Sequence, residues 1–478
     1  MLAFLFGARQ CDASWNISAG VRVDGNDIRG VQNVSDAAEC CVECHGESNC
    51  RAYVFVRSRS LCWLKTSSAG AHRPDADCVW GSDPSAPTPP PSPVPCNRMA
   101  GNVGCNMAGV CNRASGLCAC DHGWTGASCE RLNFGLSYTC ADGGLCLHGE
   151  LNSVATWGGQ AVHDPVGGKW HVFAAMFPSN KTLDSWLTNS VVVHAVAAEP
   201  QGPYTASDVA LGPRGAATDA FFDSITEHNP AAHRDPVTGT WLLFYMGSKQ
   251  TPKSMSGSSA PRVSGGICTN ASAPYASVCN QRVGLATAAS PSGPWKRRDA
   301  PILDAGPRGE WDDLFTTNPT PFVFSNGSVL LVYKARSWEN EGVMSTGVAF
   351  AENWAGPYVR RTPGAPIQFE GAGGCEDAGI YRSEAMGVFR MVLHCGCAYQ
   401  SLWSLNGIHW NATAPKVEWC EVNATDGSSF KLKRRERPKW VIDTQGRPTH
   451  LLTGVLPLEA TDPVHGTSTF TMAAQILA

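Results

Sequence analysis

The chain carries five copies of one pattern, in which an apolar run, a polar turn with a glycine and a second apolar run follow one another. Each copy opens on polar residues, and its apolar runs are typical of paired β-strands. The copies read GGQAVHDPVGGKWHVFAA (158–175), HNPAAHRDPVTGTWLLFYMG (228–247), NPTPFVFSNGSVLLVYKA (318–335), EDAGIYRSEAMGVFRMVLH (376–394) and ERPKWVIDTQGRPTHLLTG (436–454). Glycine accepts the backbone angles of tight hairpins, so five turns are predicted at Gly168, Gly239, Gly327, Gly387 and Gly446.

Residues 131–478 show this strand pattern and no long amphipathic helix, so the chain is predicted to be mostly β. The copies are too far apart for a solenoid and suit sheets with insertions. We predict a five-bladed β-propeller over 131–478, because radial repetition protects sheet edges. The last copy is short, so the segment after residue 131 is expected to help close the ring. A β-sandwich with unrelated hairpins is the alternative.

Two small cysteine-dense segments, 11–80 and 96–130, precede the repeats. Residues 82–95 lie between them and hold seven prolines in fourteen positions, a composition typical of a semi-rigid spacer. The chain has 21 Cys, and short cysteine-dense segments indicate disulfide scaffolds in an oxidising compartment. Metal ligation by these cysteines is the alternative, but no pair of CxxC knuckles occurs.

Seven Asn-x-Ser/Thr sequons agree with a secreted glycoprotein. They are Asn16, Asn33, Asn180, Asn270, Asn326, Asn411 and Asn423. The start, MLAFLFGARQC, has a shorter apolar stretch than a signal peptide and no basic segment, so we expect an incomplete or misassigned N-terminus. No apolar run is long enough to span a membrane. The net charge of −4 argues against a nucleic-acid partner.

The first module contains VSDAAECCVECHGESNCRAYVFVRSRSLCWLK, in which Ser35 or Asp36 caps a predicted short helix that two strands, AYVFV and LCWLK, follow. This arrangement resembles the PAN/Apple family, an α+β module that binds proteins or carbohydrates. The resemblance implies the disulfides Cys44–Cys50, Cys40–Cys62 and Cys11–Cys78. It leaves Cys41 over, as a free thiol or a partner for something outside the module.

The second module ends in CACDHGWTGASCE and resembles an EGF-like domain. The resemblance implies the disulfides Cys96–Cys111, Cys105–Cys118 and Cys120–Cys129. So short a segment buries little apolar surface, so the disulfides are expected to stabilise it. No acidic pattern precedes Cys96, and we predict no calcium there. Such modules are typically spacers or adhesion units.

The repeats resemble the five-bladed propellers of family 43 glycoside hydrolases and their relatives in family 32. The resemblance rests on the phrase x-Asp-Pro with an apolar strand, a turn that holds Asp or Gly and a strand rich in Tyr and Trp. It rests also on the phrases PQGPY, SPSGPW, WAGPY and SLNGIHW. It implies a secreted glycosidase that hydrolyses O-glycosyl bonds with two carboxyl groups, one acid and one base.

In a propeller the first strand of each blade faces a shared channel, which is where a ligand site is expected. The carboxylates at these positions are Asp377, Glu436 and Glu376, and we predict Asp377 and Glu436 as the catalytic pair with Glu376 assisting. The expected substrate-binding residues are Trp157, Gln160, His228, Asn229, Asn318, Arg435 and Arg437. Arginines at the channel favour an anionic sugar, a uronate or a sulfate.

The chain departs from the family in the first two blades, where the expected aspartates are absent. Asp164 and Asp235 are predicted to be turn formers instead. Asp312 and Asp313 are predicted to be solvated loop residues. No histidine pair has ligand spacing, so we predict no metal and no cofactor.

Two functions follow from these observations. The first is a secreted glycoside hydrolase-like protein that cleaves an extracellular or cell-wall polysaccharide or a glycoprotein glycan. The alternative is a non-catalytic carbohydrate-binding or adhesion protein that uses the channel, with a protein partner bound through the PAN/Apple or EGF-like module. Carboxylate geometry across the channel distinguishes the two, because fold alone does not fix function.

Overall fold

The computed structural model of the chain divides into two compact units, 1–94 and 95–478. It describes residues 16–24, 27–46, 50–66, 71–82, 96–99, 101–138, 154–179, 181, 183–186, 189–215, 221–249, 280–339, 344–362, 366–367, 374–413, 416–458 and 469–478. In these ranges no helix is both long and apolar enough to cross a membrane.

The first unit holds one five-stranded sheet and one helix. Its elements are β1 (Asn16–Asp24), β2 (Asp27–Gln32), α1 (Ala37–Gly46), β3 (Ala52–Val56), β4 (Leu61–Lys65) and β5 (Ala71–Ser82), and the sheet order is β1-β5-β3-β4-β2. The predicted helix and both predicted strands are present. The helix begins at a cap in which the Asp36 carboxylate accepts the Glu39 amide at 2.9 Å and the Glu39 carboxylate accepts the Ser35 amide at 2.6 Å.

Disulfides tie α1 to the sheet. The predicted Cys40–Cys62 and Cys44–Cys50 bonds are both present. Cys41 is also disulfide-bonded, so it is not the free thiol that was one of the two expectations for it. The predicted Cys11–Cys78 bond involves Cys11, which lies outside the described residues, and Cys78 is buried.

The second unit begins with the EGF-like segment. Its strands are β6 (Gly109–Cys111), β7 (Cys118–Cys120), β8 (Trp124–Thr125) and β9 (Arg131–Leu132). The three predicted disulfides, Cys96–Cys111, Cys105–Cys118 and Cys120–Cys129, are present. Short 3-10 turns lie at Arg57–Arg59 in the first unit, and at Cys96–Arg98, Val103–Cys105 and Leu183–Ser185 in the second.

Five antiparallel sheets make up the rest of the second unit. Sheet 1 runs β11 (Thr156–Asp164), β12 (Lys169–Met176), β13 (Val191–Ala197) and β14 (Thr205–Leu211). Sheet 2 runs β15 (Thr226–Arg234), β16 (Trp241–Ser248), β17 (Arg282–Ala288) and β18 (Lys296–Arg297). Sheet 3 runs β19 (Phe315–Val323), β20 (Val329–Arg336), β21 (Ser345–Ala351) and β22 (Val359–Arg360).

Sheet 4 runs β23 (Glu376–Ser383), β24 (Val388–Cys395), β25 (Ala398–Ser404) and β26 (Asn411–Ala412), with β27 (Val417–Glu418) also paired to β25. Sheet 5 contains β28 (Glu421–Asn423), β29 (Ser429–Ile442), β30 (Pro448–Pro457) and β31 (Phe470–Ile476). Its outer strand is β10 (Phe134–Tyr138), which pairs with β31. The segment after residue 131 therefore contributes to the last sheet, as predicted.

One strand from each of the five sheets takes part in a closed cycle of contacts. β11 contacts β15, β15 contacts β19, β19 contacts β23, β23 contacts β29, and β29 contacts β11. The five predicted hairpin turns are all present, and each turn glycine has a positive φ between 66° and 83°. Asp164 accepts the amides of Val166 and Gly167, and Asp235 accepts those of Val237 and Thr238, so both aspartates form turns as predicted.

Asp312 and Asp313 are buried, so their prediction as solvated loop residues is wrong. Asp312 accepts hydrogen bonds from the Tyr333 hydroxyl at 2.8 Å and the Arg360 Nε at 2.7 Å. Asp313 accepts the amides of Gly309 and Trp338, both at 2.8 Å. A buried charge requires partners, and these hydrogen bonds supply them. They also hold the loop that carries the two carboxylates against sheet 3.

The EGF-like segment packs directly on sheets 4 and 5. Its buried cysteines and Trp124 share one apolar cluster with Tyr381, Trp440 and Ile476 of these sheets. The amide of Gly123 donates to the carbonyl of Leu477 at 3.0 Å, near the end of the chain. A spacer would make few such contacts, so this segment is part of the larger unit.

Candidate functional site

Each of the five strands in this cycle of contacts, β11, β15, β19, β23 and β29, has a bulge near its start or in its middle. Within each bulge one residue has a left-handed backbone, and these residues are Gly158, Asn229, Asn318, Asp377 and Arg437, with φ between 49° and 61°. A bulge re-aims a side chain relative to a regular strand. Asn and Asp tolerate this backbone better than most residues do, which accounts for three of the five. We call these five residues the collar.

Four of the five collar residues are linked through their side chains, by two hydrogen bonds and one ion pair. The Asn229 amide donates to the Asn318 Oδ1, and the Asn318 amide donates to the Asp377 Oδ1. The Arg437 guanidinium forms an ion pair with Asp377 from the other side. A Cβ at Gly158 would lie 2.8 Å from the Cβ of Arg437, so glycine is needed where the arginine passes.

Two cavities adjoin the collar. The larger has a volume of ≈ 270 Å³ and is lined by Trp157, Leu183, Trp186, His228, Gln281, Asn318, Lys334, Arg336, Met344, Glu376, Arg434, Glu436 and Arg437. The smaller has a volume of ≈ 10 Å³ and is lined by Gly159, Asn229, Pro230, Asn318, Asp377, Arg437 and Lys439. Asn318 and Arg437 line both cavities, so the collar lies between them. We call the larger cavity the pocket.

Cations hold two neighbouring carboxylates of sheet 4 in the ionised form. The Lys334 ammonium lies 2.5 Å from the Glu376 Oε2 and 3.0 Å from the Asp377 Oδ1. Burial alone would raise the pKa of Glu376, but Lys334, His394 and Arg437 outweigh it and hold that pKa well below the ordinary value. The pKa of Asp377 is lowered in the same way, with burial outweighed by Arg437 and Lys334.

The third carboxylate, Glu436, comes from sheet 5. Its Oε1 accepts a hydrogen bond from the Arg434 Nε at 2.7 Å, and the Arg434 side chain is 42% exposed. The Nε2 of His394 lies 4.0 Å from the Glu436 Oε2 and 3.6 Å from the Glu376 Oε1. Glu436 and Glu376 therefore approach the same imidazole nitrogen, and both line the pocket.

Aromatic rings form another part of the pocket. Trp186 stacks on His228 with ring centroids 5.6 Å apart, and the Arg434 guanidinium lies 5.3 Å from the ring centroid of Trp157. The Nδ1 of His228 lies 2.7 Å from the Ser190 Oγ. Complete burial and the charge of Arg437 hold the pKa of His228 well below the ordinary value, so the ring is neutral at pH 7.

The structure brings most of the predicted site residues together. Trp157, His228, Asn318, Glu376, Glu436 and Arg437 line the pocket, while Asn229 and Asp377 line the smaller cavity. Gln160 lines neither cavity.

Arg435 is not at the channel, so its prediction as a binding residue is wrong. It is buried beside Trp419 and Phe134, where its Nη1 donates to the Trp419 carbonyl at 2.8 Å. Burial lowers the pKa of Arg435 to about 9. Alternate residues of a strand point to opposite faces, so Arg434 and Glu436 face the pocket while Arg435 does not.

Sequence reasoning missed several pocket residues, and for one of them a signal was present. Lys334 is a lysine inside the apolar run VLLVYKA of β20, where burial of a charge needs a nearby anion. It pairs across the hairpin with Thr317, next to Asn318 of the collar. Trp186 and Leu183 lie in a loop between strands, where the strand pattern gives no placement.

Glu376, Asp377 and His394 form a group whose ligand atoms all lie within 4.8 Å of one another, as a metal site would require. A second such group in the described residues is Cys96, Cys105 and Cys111, whose sulfurs are already used in disulfides. The Lys334 ammonium lies against both carboxylates of the first group.

Comparisons with known proteins agree with the two small modules. Residues 21–65 match the model of the PAN domain, and residues 99–129 match that of the EGF-like domain. No curated protein sequence matches the chain.

Several solved structures resemble the chain at low identity. A family 117 glycoside hydrolase of the marine bacterium Zobellia galactanivorans is 14% identical, with a TM-score of 0.45, over 72% of this chain and 88% of that one. An endo-arabinase of Bacteroides thetaiotaomicron is 12% identical, with a TM-score of 0.42, over 68% and 95%. An α-L-arabinofuranosidase of Podospora anserina is 11% identical, with a TM-score of 0.46, over 72% and 96%. By its family matches, the chain carries a PAN domain and an EGF-like domain.

Proposed function

We propose that the five sheets are the blades of a five-bladed β-propeller and that the pocket at its axis hydrolyses a glycosidic bond in an extracellular or cell-wall polysaccharide. The observation that carries the proposal is the approach of Glu376 and Glu436 to one nitrogen of His394. Two carboxylates from different sheets thus share one pocket. Trp186 and Trp157 supply apolar ring faces of the kind on which sugars stack.

The spacing of the two carboxylates suits a glycosidase. Because both reach the same nitrogen, their nearest oxygens are separated by no more than the sum of 3.6 and 4.0 Å. Glycosidases that invert configuration hold their carboxyl groups roughly 6.5–9.5 Å apart, and those that retain it hold them about 5–5.5 Å apart. This limit admits the retaining spacing and the lower part of the inverting range.

The environments of Glu376 and Glu436 indicate which of them is the base and which is the acid. Lys334 and Arg437 hold Glu376 ionised, which suits the base. Glu436 is held by Arg434, whose side chain is 42% exposed, so a substrate can displace this partner. The carboxyl group of Glu436 then lies free to contact the glycosidic oxygen, and we assign it the role of the acid. Asp377 is only 3% exposed and belongs to the collar, so it positions the pocket, and this assignment replaces the predicted pair of Asp377 and Glu436.

In the hydrolytic step, the Glu436 carboxyl gives its proton to the glycosidic oxygen as the bond from the anomeric carbon to that oxygen breaks. Glu376 takes a proton from a water molecule, whose oxygen forms the new bond to the anomeric carbon. The products are a free sugar and an alcohol, and proton exchange with solvent restores both carboxyl groups.

We further propose that the protein is secreted and glycosylated. The disulfide-rich PAN and EGF-like domains support an oxidising compartment. Four of the sequons are exposed in the structure, namely Asn33, Asn326, Asn411 and Asn423. Asn180 and Asn270 lie outside the described residues, and so does the side chain of Asn16. The domains are proposed to span 11–80, 96–130 and 131–478, with 82–95 as a spacer and the PAN domain as the surface for a protein partner.

A second candidate function is glycan binding without cleavage. It is favoured by the cations beside each carboxylate, since Lys334 contacts Glu376 and Arg434 contacts Glu436. If substrate does not displace Arg434, the Glu436 carboxyl group stays in its ion pair and does not reach the glycosidic oxygen. The site then binds sugar and leaves it intact.

The decisive experiment compares Glu376→Gln and Glu436→Gln with the native protein on chromogenic arabinosides, xylosides, galactosides and uronides, with binding measured on a glycan array. Each substitution should lower kcat by about 10²–10⁴-fold while the protein stays folded. Glu421→Gln is the matched control, because Glu421 lies in the same sheet but is 80% exposed in a surface pair with Lys431. Binding without turnover in the native protein would establish the second candidate, and full activity in both pocket variants would reject the catalytic assignment.

A further inference from the structure

The Lys334 ammonium contacts two members, Glu376 and Asp377, of a three-residue group of the metal-ligand type. Glu376, Asp377 and His394 bring one ligand atom each to within 4.8 Å of the others. The Nζ of Lys334 is 2.5 Å from Glu376 and 3.0 Å from Asp377, and its side chain is only 6% exposed. A carboxylate pair and an imidazole in this arrangement match the donor types that divalent cations accept.

We propose that Lys334 is a resident cation, a side-chain substitute for a divalent metal ion between Glu376, Asp377 and His394. The ammonium compensates the two adjacent carboxylates and thereby preserves the geometry of the collar and of the pocket. The inference refines the site of the proposed function, but it rests on this geometry and holds whether or not the pocket cleaves a glycosidic bond.

The placement of Lys334 supports a dedicated role. It projects from β20 of sheet 3 to β23 of sheet 4, so it joins the two sheets through its partners. The lysine is itself buried, so its charge depends on these partners rather than on solvent. Removal of one partner from a buried ion pair leaves an uncompensated charge, which is strongly destabilising.

The neighbouring lysine and arginine side chains lack the double contact that Lys334 makes. Arg437 contacts Asp377 alone among the three ligands, and Arg434 contacts Glu436. Lys439 donates to the carbonyls of Pro319 and Ala378, not to the carboxylates. Among the ion pairs of the described residues, Lys334 is thus the lysine or arginine that contacts both Glu376 and Asp377, and His394 approaches the other oxygen of each carboxylate.

The inference predicts that removing the ammonium exposes a metal site. In Lys334→Ser the small side chain leaves space for an ion, and a bound ion would compensate the two carboxylates and restore the geometry that the ammonium maintains. The full-length variant, stripped with EDTA, should bind Mn²⁺ or Ca²⁺ in calorimetry, and the ion should raise its Tm by several degrees through binding to the folded state. The native protein and Lys334→Arg, which keeps a cation, should show neither effect.

Three results would bear on the inference without reference to hydrolysis. If Lys334→Ser folds only when Mn²⁺ is present, the inference stands, since the ion then replaces the ammonium. If the native protein binds an ion that Asp377→Asn loses, the ligand set already holds a metal and the inference is overturned. If Lys334→Ser folds and gains no affinity for either ion, it is also overturned. Absence of glycosidase activity in the native protein would reject only the proposed function.

Discussion

Trp124 of the EGF-like domain donates its indole N–H to the hydroxyl of Tyr381 in sheet 4 at 2.9 Å. The guanidinium of Arg390 lies 3.9 Å from the ring centroid of the same tryptophan and donates to the carbonyl of Asn106 at 2.7 Å. Arg390 is almost fully buried, and burial lowers its pKa to about 10. The EGF-like domain thus seals polar groups of the sheet that would otherwise be open to water.

This contact predicts that the EGF-like domain and the sheets unfold together. Trp124→Ala removes the ring over Arg390 and the partner of Tyr381, so the free energy of unfolding should fall by about 3–5 kcal/mol. Calorimetry should show one shared transition of the EGF-like domain and the five sheets, at a lower Tm in the variant, apart from any transition of the first compact unit. Leu117→Ala is the control, because Leu117 is 64% exposed in the same domain and should change little. Separate transitions of the EGF-like domain and of the five sheets in the native protein, with the substitution affecting only the former, would show that the domain is independent.

The sequence predicted the repeating parts of this fold better than the contacts between them. Hairpin turns such as those at Gly168 and Gly446 follow from local backbone preference, and the structure has them. Packing of Trp124 on Tyr381 depends on residues more than 250 positions apart, which no local pattern records. The polar dipeptides that open the repeats could be found from the local pattern, while the presence of both Glu436 and Arg437 at the pocket depends on the bulge that follows Glu436.

The collar predicts a strong effect at Gly158. Its φ is 61°, and a Cβ there would lie 2.8 Å from the Cβ of Arg437. Gly158→Ala should therefore pay about 1–2 kcal/mol for the left-handed backbone and a further penalty for displacing Arg437 from Asp377. Ligand affinity at the pocket should fall together with the free energy of unfolding, as denaturant titration and glycan binding would measure.

Gly168→Ala is the matched control for that substitution. Gly168 has a φ of 66°, but no atom lies within 4 Å of the position a Cβ would take. The free energy of unfolding of this variant should fall only by the amount that the left-handed backbone costs an alanine. Its ligand affinity should equal that of the native protein. Equal effects of the two substitutions on affinity would mean that the contact between Gly158 and Arg437 has no part in shaping the pocket.

Glu227, next to the pocket residue His228, predicts a loss of stability as pH rises. Burial raises its pKa from 4.5 to about 8, outweighing the attraction of Arg297, whose Nη1 lies 3.1 Å away. The folded protein therefore keeps a proton on Glu227 that the unfolded chain releases near pH 4.5. This group stabilises the fold fully below pH 4.5, and the contribution declines as pH rises and is lost once pH passes about 8.

Glu227→Gln should remove this dependence, because the amide has the size of the carboxyl group and does not titrate. The difference in Tm between the native protein and the variant should change by several degrees from pH 4.5 to pH 8, with the native protein losing more. Lys439, whose pKa burial lowers to about 7, acts in the opposite sense above that pH in both proteins, so it cancels in the difference. A difference in Tm that stays constant from pH 4.5 to pH 8 would show that Glu227 is ionised in the folded protein throughout, held by Arg297 despite its burial.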